Sequence, residues 1–246
     1  MSNCKGRSVK EATKEKQYGA CLDVRDEKGV ASLGVMTNFV WQTDPKRLLF
    51  VLARYKFAAR MLAGKANVLE VGCADAFGSR VVRQFVKSLT VSDFDPVFTK
   101  DVQARMSTDW PMQVRLHDML SGPLDETFDA AYSLDVMEHI PQKDEHRFLK
   151  NIVDSLTDDG VLLIGMPSLQ SQQYASPGSL AGHVNCKTGE GLKESLDPFF
   201  ANVFIFSMND EVVHTGFYPM AHYLFALCCT RRKPVSRNGV NGKQPS

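Results

Sequence analysis

Five consecutive residues, Asp135-Val136-Met137-Glu138-His139, carry three groups able to move protons or bind a cation. If the stretch turns helical, positions i, i+3 and i+4 share one face, so Asp135, Glu138 and His139 point together. Two chemistries follow. His139 can serve as a general base that takes a proton from an acceptor hydroxyl. Alternatively, two carboxylates and an imidazole can hold a divalent cation that binds acceptor oxygens and lowers their pKa. A plainer reading has Glu138 and His139 only capping and orienting the turn.

Such groups need a scaffold, and strand and helix signals alternate along the chain. Leu48, Leu49, Val51, Leu52, Tyr55, Ala59 and Leu62 recur at helical spacing behind Asp44-Pro45, a cap followed by a helix-start proline. NVLEV predicts a first buried strand, and Ser79 to Ser88 a second helix. LTVSD predicts the second strand, 98–107 a weaker helix, MQVRLHD the third strand and FDAAYSL the fourth. Phe148, Leu149, Ile152, Val153 and Leu156 mark a helix closed at Asp159-Gly160, ahead of the strand VLLIGMP. Residues 168–190, rich in Ser, Gln and Gly, read as a long functional loop. A short helix at about 189–197 and the strands NVFIFSM and FALCCTR follow. This alternation predicts an α/β fold with a Rossmann-like, doubly wound, seven-stranded mixed sheet and an N-terminal helical cap. The expected organisation is a mobile arm at 1–30, one domain at 31–232 and a disordered tail at 233–246.

The first strand runs into VLEVGCADAFGS, a small-residue turn. A dinucleotide fingerprint needs G-x-G-x-x-G. Here Gly72 is followed by Ala74 and Phe77, and the bulk of Phe77 disfavours a pyrophosphate cofactor and a dehydrogenase. S-adenosylmethionine (SAM) has no pyrophosphate, and its needs can be matched in order. Asp93, with Phe94 beside it, ends the second strand about twenty residues past the turn, the offset of a ribose-binding carboxylate. Asp118 at the end of the third strand can accept from the adenine amino group, with the Met119 backbone N–H near the ring. Glu70, Gly72 and Ser133 surround the amino-acid end. Ligands of open α/β sheets bind at these carboxyl ends.

VLEVGCADAFG, VSDFDP, LHDML, FDAAYSLDVMEHIP and DDGVLLIGMPS together resemble the ordered motifs of class I SAM-dependent methyltransferases, over roughly residues 45–230. Ala74 and Ala76 depart from the glycines common in that family. The resemblance implies a methyl donor site and a transferase. The DVMEH turn is similar to the ExxEH turn of two metal-using groups, ubiquinone-pathway and small-RNA O-methyltransferases, which add a histidine from the loop after the fifth strand. His183 in GHVN occupies a comparable place, so the resemblance implies Asp135, Glu138, His139 and His183 as a cation set, with Asp135 one methylene shorter than its counterpart.

A formal net charge of +1 gives no electrostatic footprint for nucleic acid or an anionic membrane. Six cysteines without CxxC spacing argue against a disulfide framework or zinc site, and a polar N-terminus argues for the cytoplasm. The expected acceptor is a small molecule: a hydroxyl of a sugar, a nucleotide-linked precursor or a secondary metabolite. The alternatives are small-molecule N-methylation and a catalytically silent SAM-binding partner. His214 and His222 lie in an apolar segment and read first as structural; with Trp41, Tyr174 and Phe217 they are alternatively acceptor-pocket lining. Arg54 reads as a partner for the SAM carboxylate or a solvated residue, and Cys73 as a small apolar filler.

Overall fold

The computed structural model describes residues 11–233; the first ten positions of the expected arm and all but Lys233 of the expected tail lie outside that range. The chain divides into two units, 1–33 and 34–246. In the first, α1 (Gly19–Lys28) ends at Gly29, whose φ of 75° suits glycine.

The second unit is built on one sheet. Its strands are β1 (Asn67–Val71), β2 (Ser88–Asp93), β3 (Gln113–Leu116), β4 (Phe128–Leu134), β5 (Leu156–Pro167), β6 (Phe200–Asn209), β7 (Val212–His214) and β8 (Tyr223–Arg231). They lie in the order β3-β2-β1-β4-β5-β8-β6-β7. The first five run parallel, and β8 runs antiparallel to both β5 and β6. The expected mixed, doubly wound sheet is present with eight strands instead of seven. The extra one is three residues long, a hairpin return on the end of β6 through Asp210, which takes a positive φ of 49°. So short an edge strand leaves no periodic signal in the sequence.

On one face lie α3 (Arg47–Met61), α4 (Ser79–Arg83) and α5 (Pro96–Ala104); Ala58, Ala59, Leu62, Val82 and Val102 join the buried cluster there. On the other lie α6 (Gln142–Asp154) and α8 (Gly189–Leu196), burying Phe148, Leu149, Ile152, Leu192 and Leu196. Each such side chain contributes roughly 1.5–3 kcal/mol by leaving water. The helix α5 starts two residues before the expected position, capped by Asp95, whose carboxylate accepts from the Val97 N–H at 2.8 Å. Three expectations need correction. The second helix is only five residues, because Phe85 to Lys87 turn back toward β2. The helix α6 ends at Asp154, and Asp159-Gly160 sits within β5, whose first residue Leu156 pairs with Phe128 across a register shift. The segment 168–190, expected as one long loop, holds a 3₁₀ turn at Gln170–Tyr174, α7 (Pro177–Gly182) and the start of α8.

Ahead of α3 stands a helix with no forecast, α2 (Val35–Thr43). Asp75, in the loop after β1, accepts from the Thr37 N–H at 2.6 Å and from its hydroxyl at 3.1 Å, which ties the start of α2 to that loop. Among the described residues, no helix is long and apolar enough to cross a membrane.

Candidate functional site

Because β1 to β5 are parallel, their carboxyl ends meet at one edge of the sheet, and every strained backbone position there belongs to a loop at that edge. Gly72, Ala74 and Ala76 follow β1 with φ of 75°, 45° and 51°, and Asp135 follows β4 with φ of 59°. A left-handed alanine costs about 1 kcal/mol, so other contacts must hold the loop. They are the Gly72 and Cys73 N–H groups on the Ser92 carbonyl, at 2.8 and 3.0 Å, and the Ala74 N–H on the Asp93 carboxylate at 2.9 Å. At Gly72 a Cβ would overlap the Val136 side chain. Gly72→Ala is therefore expected to cost about 2–3 kcal/mol by combining a clash with left-handed strain. Thermal melts will register it, and adding Val136→Ala will recover the clash but not the strain.

Asp93 is buried. Its second oxygen accepts from the Asp95 N–H at 2.9 Å. Each oxygen thus takes one backbone donor and keeps a lone pair for another. Phe94 beside it is 73% exposed. Asp118 is exposed at the end of β3, with one oxygen on the Leu120 N–H at 2.8 Å, and Met119 is buried behind it. A buried acceptor pair, an exposed ring and a further carboxylate at successive strand ends make a cradle that fits a nucleoside.

Glu70 and Ser133 sit lower. The Glu70 carboxylate is fully enclosed and accepts from the Tyr55 hydroxyl at 2.8 Å and the Tyr132 hydroxyl at 2.6 Å. The Ser133 hydroxyl is spent on the Val71 carbonyl at 3.0 Å. Both brace the turn from beneath.

At the other end of the cradle, Met137–His139 forms a 3₁₀ turn. Glu138 is buried, and its Oε2 has no hydrogen-bond partner. Burial, and then the charge of Asp135, push its carboxyl well above the usual carboxylate range. The loop after β5 folds over it: the Val184 and Asn185 N–H groups donate to the Glu138 carbonyl at 2.8 and 3.0 Å. His139 places Nδ1 at 2.9 Å from the Gly182 carbonyl, and His183 places Nδ1 at 2.8 Å from the Gln172 side-chain oxygen. Both Nδ1 atoms therefore donate, which turns each Nε2 toward other partners. Glu138, His139 and His183 offer ligand atoms that all lie within 4.8 Å of one another. Burial and the charge of His139 hold the His183 pKa below its ordinary value.

Asp135 does not join that group. Arg54, from α3, sets one guanidinium nitrogen at 2.8 Å from both Asp135 oxygens and lies over the Tyr223 ring at 3.9 Å. The expected cation set thus meets in three of its four members, and Arg54 is held by Asp135.

Three comparisons bear on this geometry. The protein family described as "Methyltransferase domain" matches residues 69–164, which run from β1 into β5. Residues 69–164 therefore carry a methyltransferase domain. Among solved structures, it is similar to the N-methyltransferase NodS from Bradyrhizobium japonicum WM9 in complex with S-adenosylhomocysteine, at 19% identity, with 77% of this chain and 90% of that one covered and a TM-score of 0.56. The methyltransferase domain of bacterial CtHen1-C matches at 12% identity, 73% and 98% coverage and a TM-score of 0.60. The plantazolicin methyltransferase BpumL, also with S-adenosylhomocysteine, matches at 11% identity, 80% and 89% coverage and a TM-score of 0.59. At such identities the likeness is one of fold. No curated protein matches the sequence.

In the methyltransferase, several remaining expectations resolve locally. The His222 Nε2 accepts from the Asp210 N–H at 2.7 Å, and His214 bonds Asn209 at 2.8 Å, so both have structural partners. Cys73 is buried, and burial pushes its thiol far out of the reactive range. Trp41 is exposed on α2, whereas Tyr174 and Phe217 stand on segments that touch each other. The residues with no forecast are Tyr55, Tyr132 and Asp75. Tyr55 was visible only as an apolar position on α3, and its hydroxyl partner lies fifteen residues away.

Glu70 also gives the methyltransferase a pH signature. Burial raises its carboxyl from an ordinary 4.5 to about 7. Between those values the folded chain holds a proton that the unfolded chain has released, so this contribution is full below 4.5 and lost as pH rises to about 7. It amounts to at most about 3 kcal/mol. Glu70→Gln should remove it: the stability of the wild type relative to the variant will fall between pH 5 and pH 8 in thermal melts.

Proposed function

We propose that the chain is a small-molecule O-methyltransferase in which Glu138, His139 and His183 act on the acceptor hydroxyl. The observation that supports this most is the pair of imidazoles, each with its Nδ1 proton spoken for, beside a buried carboxylate oxygen that lacks a partner. Asp93 would accept from the ribose hydroxyls, with Phe94 against the nucleoside, and Asp118 and Met119 would receive the adenine edge. Gly72, in the turn after β1, would lie beside the amino-acid end. Held this way, the methyl group faces the acceptor in line, and positioning with exclusion of water supplies most of the rate. The Nε2 of His139 or of His183 takes the hydroxyl proton.

The same three side chains fit a divalent cation. An orphaned buried carboxylate oxygen favours one, and the oriented imidazoles supply nitrogen ligands. Bound there, a cation would lower the pKa of a coordinated acceptor hydroxyl. Asp135 is left out of this set while Arg54 holds it. After exhaustive chelation, methyl transfer to a hydroxyl acceptor is expected to drop to background and return when Mg²⁺, Mn²⁺ or Zn²⁺ is restored. Undiminished transfer would assign proton removal to the histidines alone. Transfer to amines and never to hydroxyls would overturn the oxygen reading. An amine acceptor has one specific support, the likeness to NodS, described as an N-methyltransferase.

A further inference from the structure

We propose that the acceptor is an uncharged molecule with an apolar body, held by two joined charge-free walls, the first of which carries one of the two histidines; this deepens the O-methylation reading and rests on it. The first wall is 168–186, SLQSQQYASPGSLAGHVNC, and the second is 212–222, VVHTGFYPMAH. Neither contains Asp, Glu, Lys or Arg, in a chain that is 23% charged. The walls are joined to each other and to the catalytic turn. The Ser168 hydroxyl donates to the Ala221 carbonyl at 2.6 Å, its N–H donates to the His222 carbonyl at 3.0 Å, and the turns Gln170–Tyr174 and Tyr218–Met220 touch. The first wall carries His183 itself and the carbonyl that orients His139.

Large apolar side chains stand in solvent on both walls: Tyr174, Leu180 and Val184 on one, Phe217 and Met220 on the other. Isolated exposed apolar residues mean little, but a cluster bordering a reactive group marks a ligand site. A phosphate or nucleotide is usually held by paired cations, and neither wall contains Lys or Arg. Lys187, just past the first wall, is paired with Glu145 at 2.8 Å. Arg47, whose charge is felt at His183, stands on α3 and on neither wall. Since the first wall carries His183 and bonds the Glu138 carbonyl through the Val184 and Asn185 N–H groups, the occupant of the joined walls is the molecule that receives the methyl group. That narrows the expected acceptors away from nucleotide-linked precursors.

The test uses 2-naphthol and 2-naphthyl phosphate, which differ by one charged group, each titrated by fluorescence into the full chain saturated with S-adenosylhomocysteine. The naphthol is expected to bind at least about tenfold tighter than the phosphate. Tyr174→Ser and Phe217→Ser should each weaken it about tenfold, from the apolar area lost, with S-adenosylhomocysteine affinity unchanged. The proposal is overturned if the phosphate binds as well or better, if naphthol fails to bind up to its solubility limit, or if neither substitution alters its affinity. It is equally overturned if the chain sediments with neutral phosphatidylcholine vesicles and leaves naphthol free. Naphthol binding as expected, with no methyl reaching any hydroxyl, keeps the pocket assignment and defeats only the O-methylation reading.

Discussion

Replacing Asp93 by alanine is expected to weaken SAM binding by about a hundredfold or more. Two proposed ribose hydroxyl bonds to a charged acceptor are involved, and each such bond is worth about 1.5–3 kcal/mol. A second effect adds to the first. The same carboxylate holds the Ala74 and Asp95 N–H groups, and the β1 loop carries two alanines in left-handed conformations that need support. Asp93→Asn keeps one acceptor oxygen and should lose only about tenfold. Isothermal calorimetry with SAM separates the cases. Unchanged affinity in the alanine variant would remove Asp93 from the cofactor site.

The second large effect is expected at the histidine pair. His139→Ala should lower kcat by about a hundred- to ten-thousandfold, the usual share of a positioned acid or base. SAM affinity should move less than about threefold, because the proposed nucleoside contacts lie at the ends of β2 and β3. His183→Ala should do the same. The double variant should be scarcely worse than either single one, since the two rings act on one hydroxyl. Initial rates of S-adenosylhomocysteine release at saturating acceptor measure this. Multiplicative losses would mean that the histidines act separately.

The sheet was legible because β1, β2, β4 and the second half of β5 are short runs rich in apolar residues, most of them buried, while the exposed edge strand β3 showed only by its alternation and its closing carboxylate. The pattern of those buried runs survives in one sequence because burial on both faces of the sheet demands it. Glu138 and His139 were legible as neighbours in one turn, whereas His183, 44 residues from His139, entered the group only through the resemblance to the ExxEH turn and its added histidine. What stayed hidden depends on distance along the chain. Arg54 and Asp135 are 81 residues apart, and nothing local shows that the guanidinium takes the carboxylate away from the cation set. Glu70 reads as a cofactor contact at the strand end, yet two tyrosines from α3 and β4 enclose it. The helix α2 lacked a signal because its first turn is tied to Asp75, 38 residues from Thr37, instead of to a local side-chain cap.

The central claim is that the carboxyl ends of β1 to β4 form one slot for adenosine joined to a sulfonium amino acid. A crystal of the chain soaked with S-adenosylhomocysteine tests it most directly. The expected density places the ribose on Asp93, the adenine by Asp118 and the sulfur facing Glu138 and the two histidines. Density lying elsewhere, or an empty slot at saturating ligand, would contradict it.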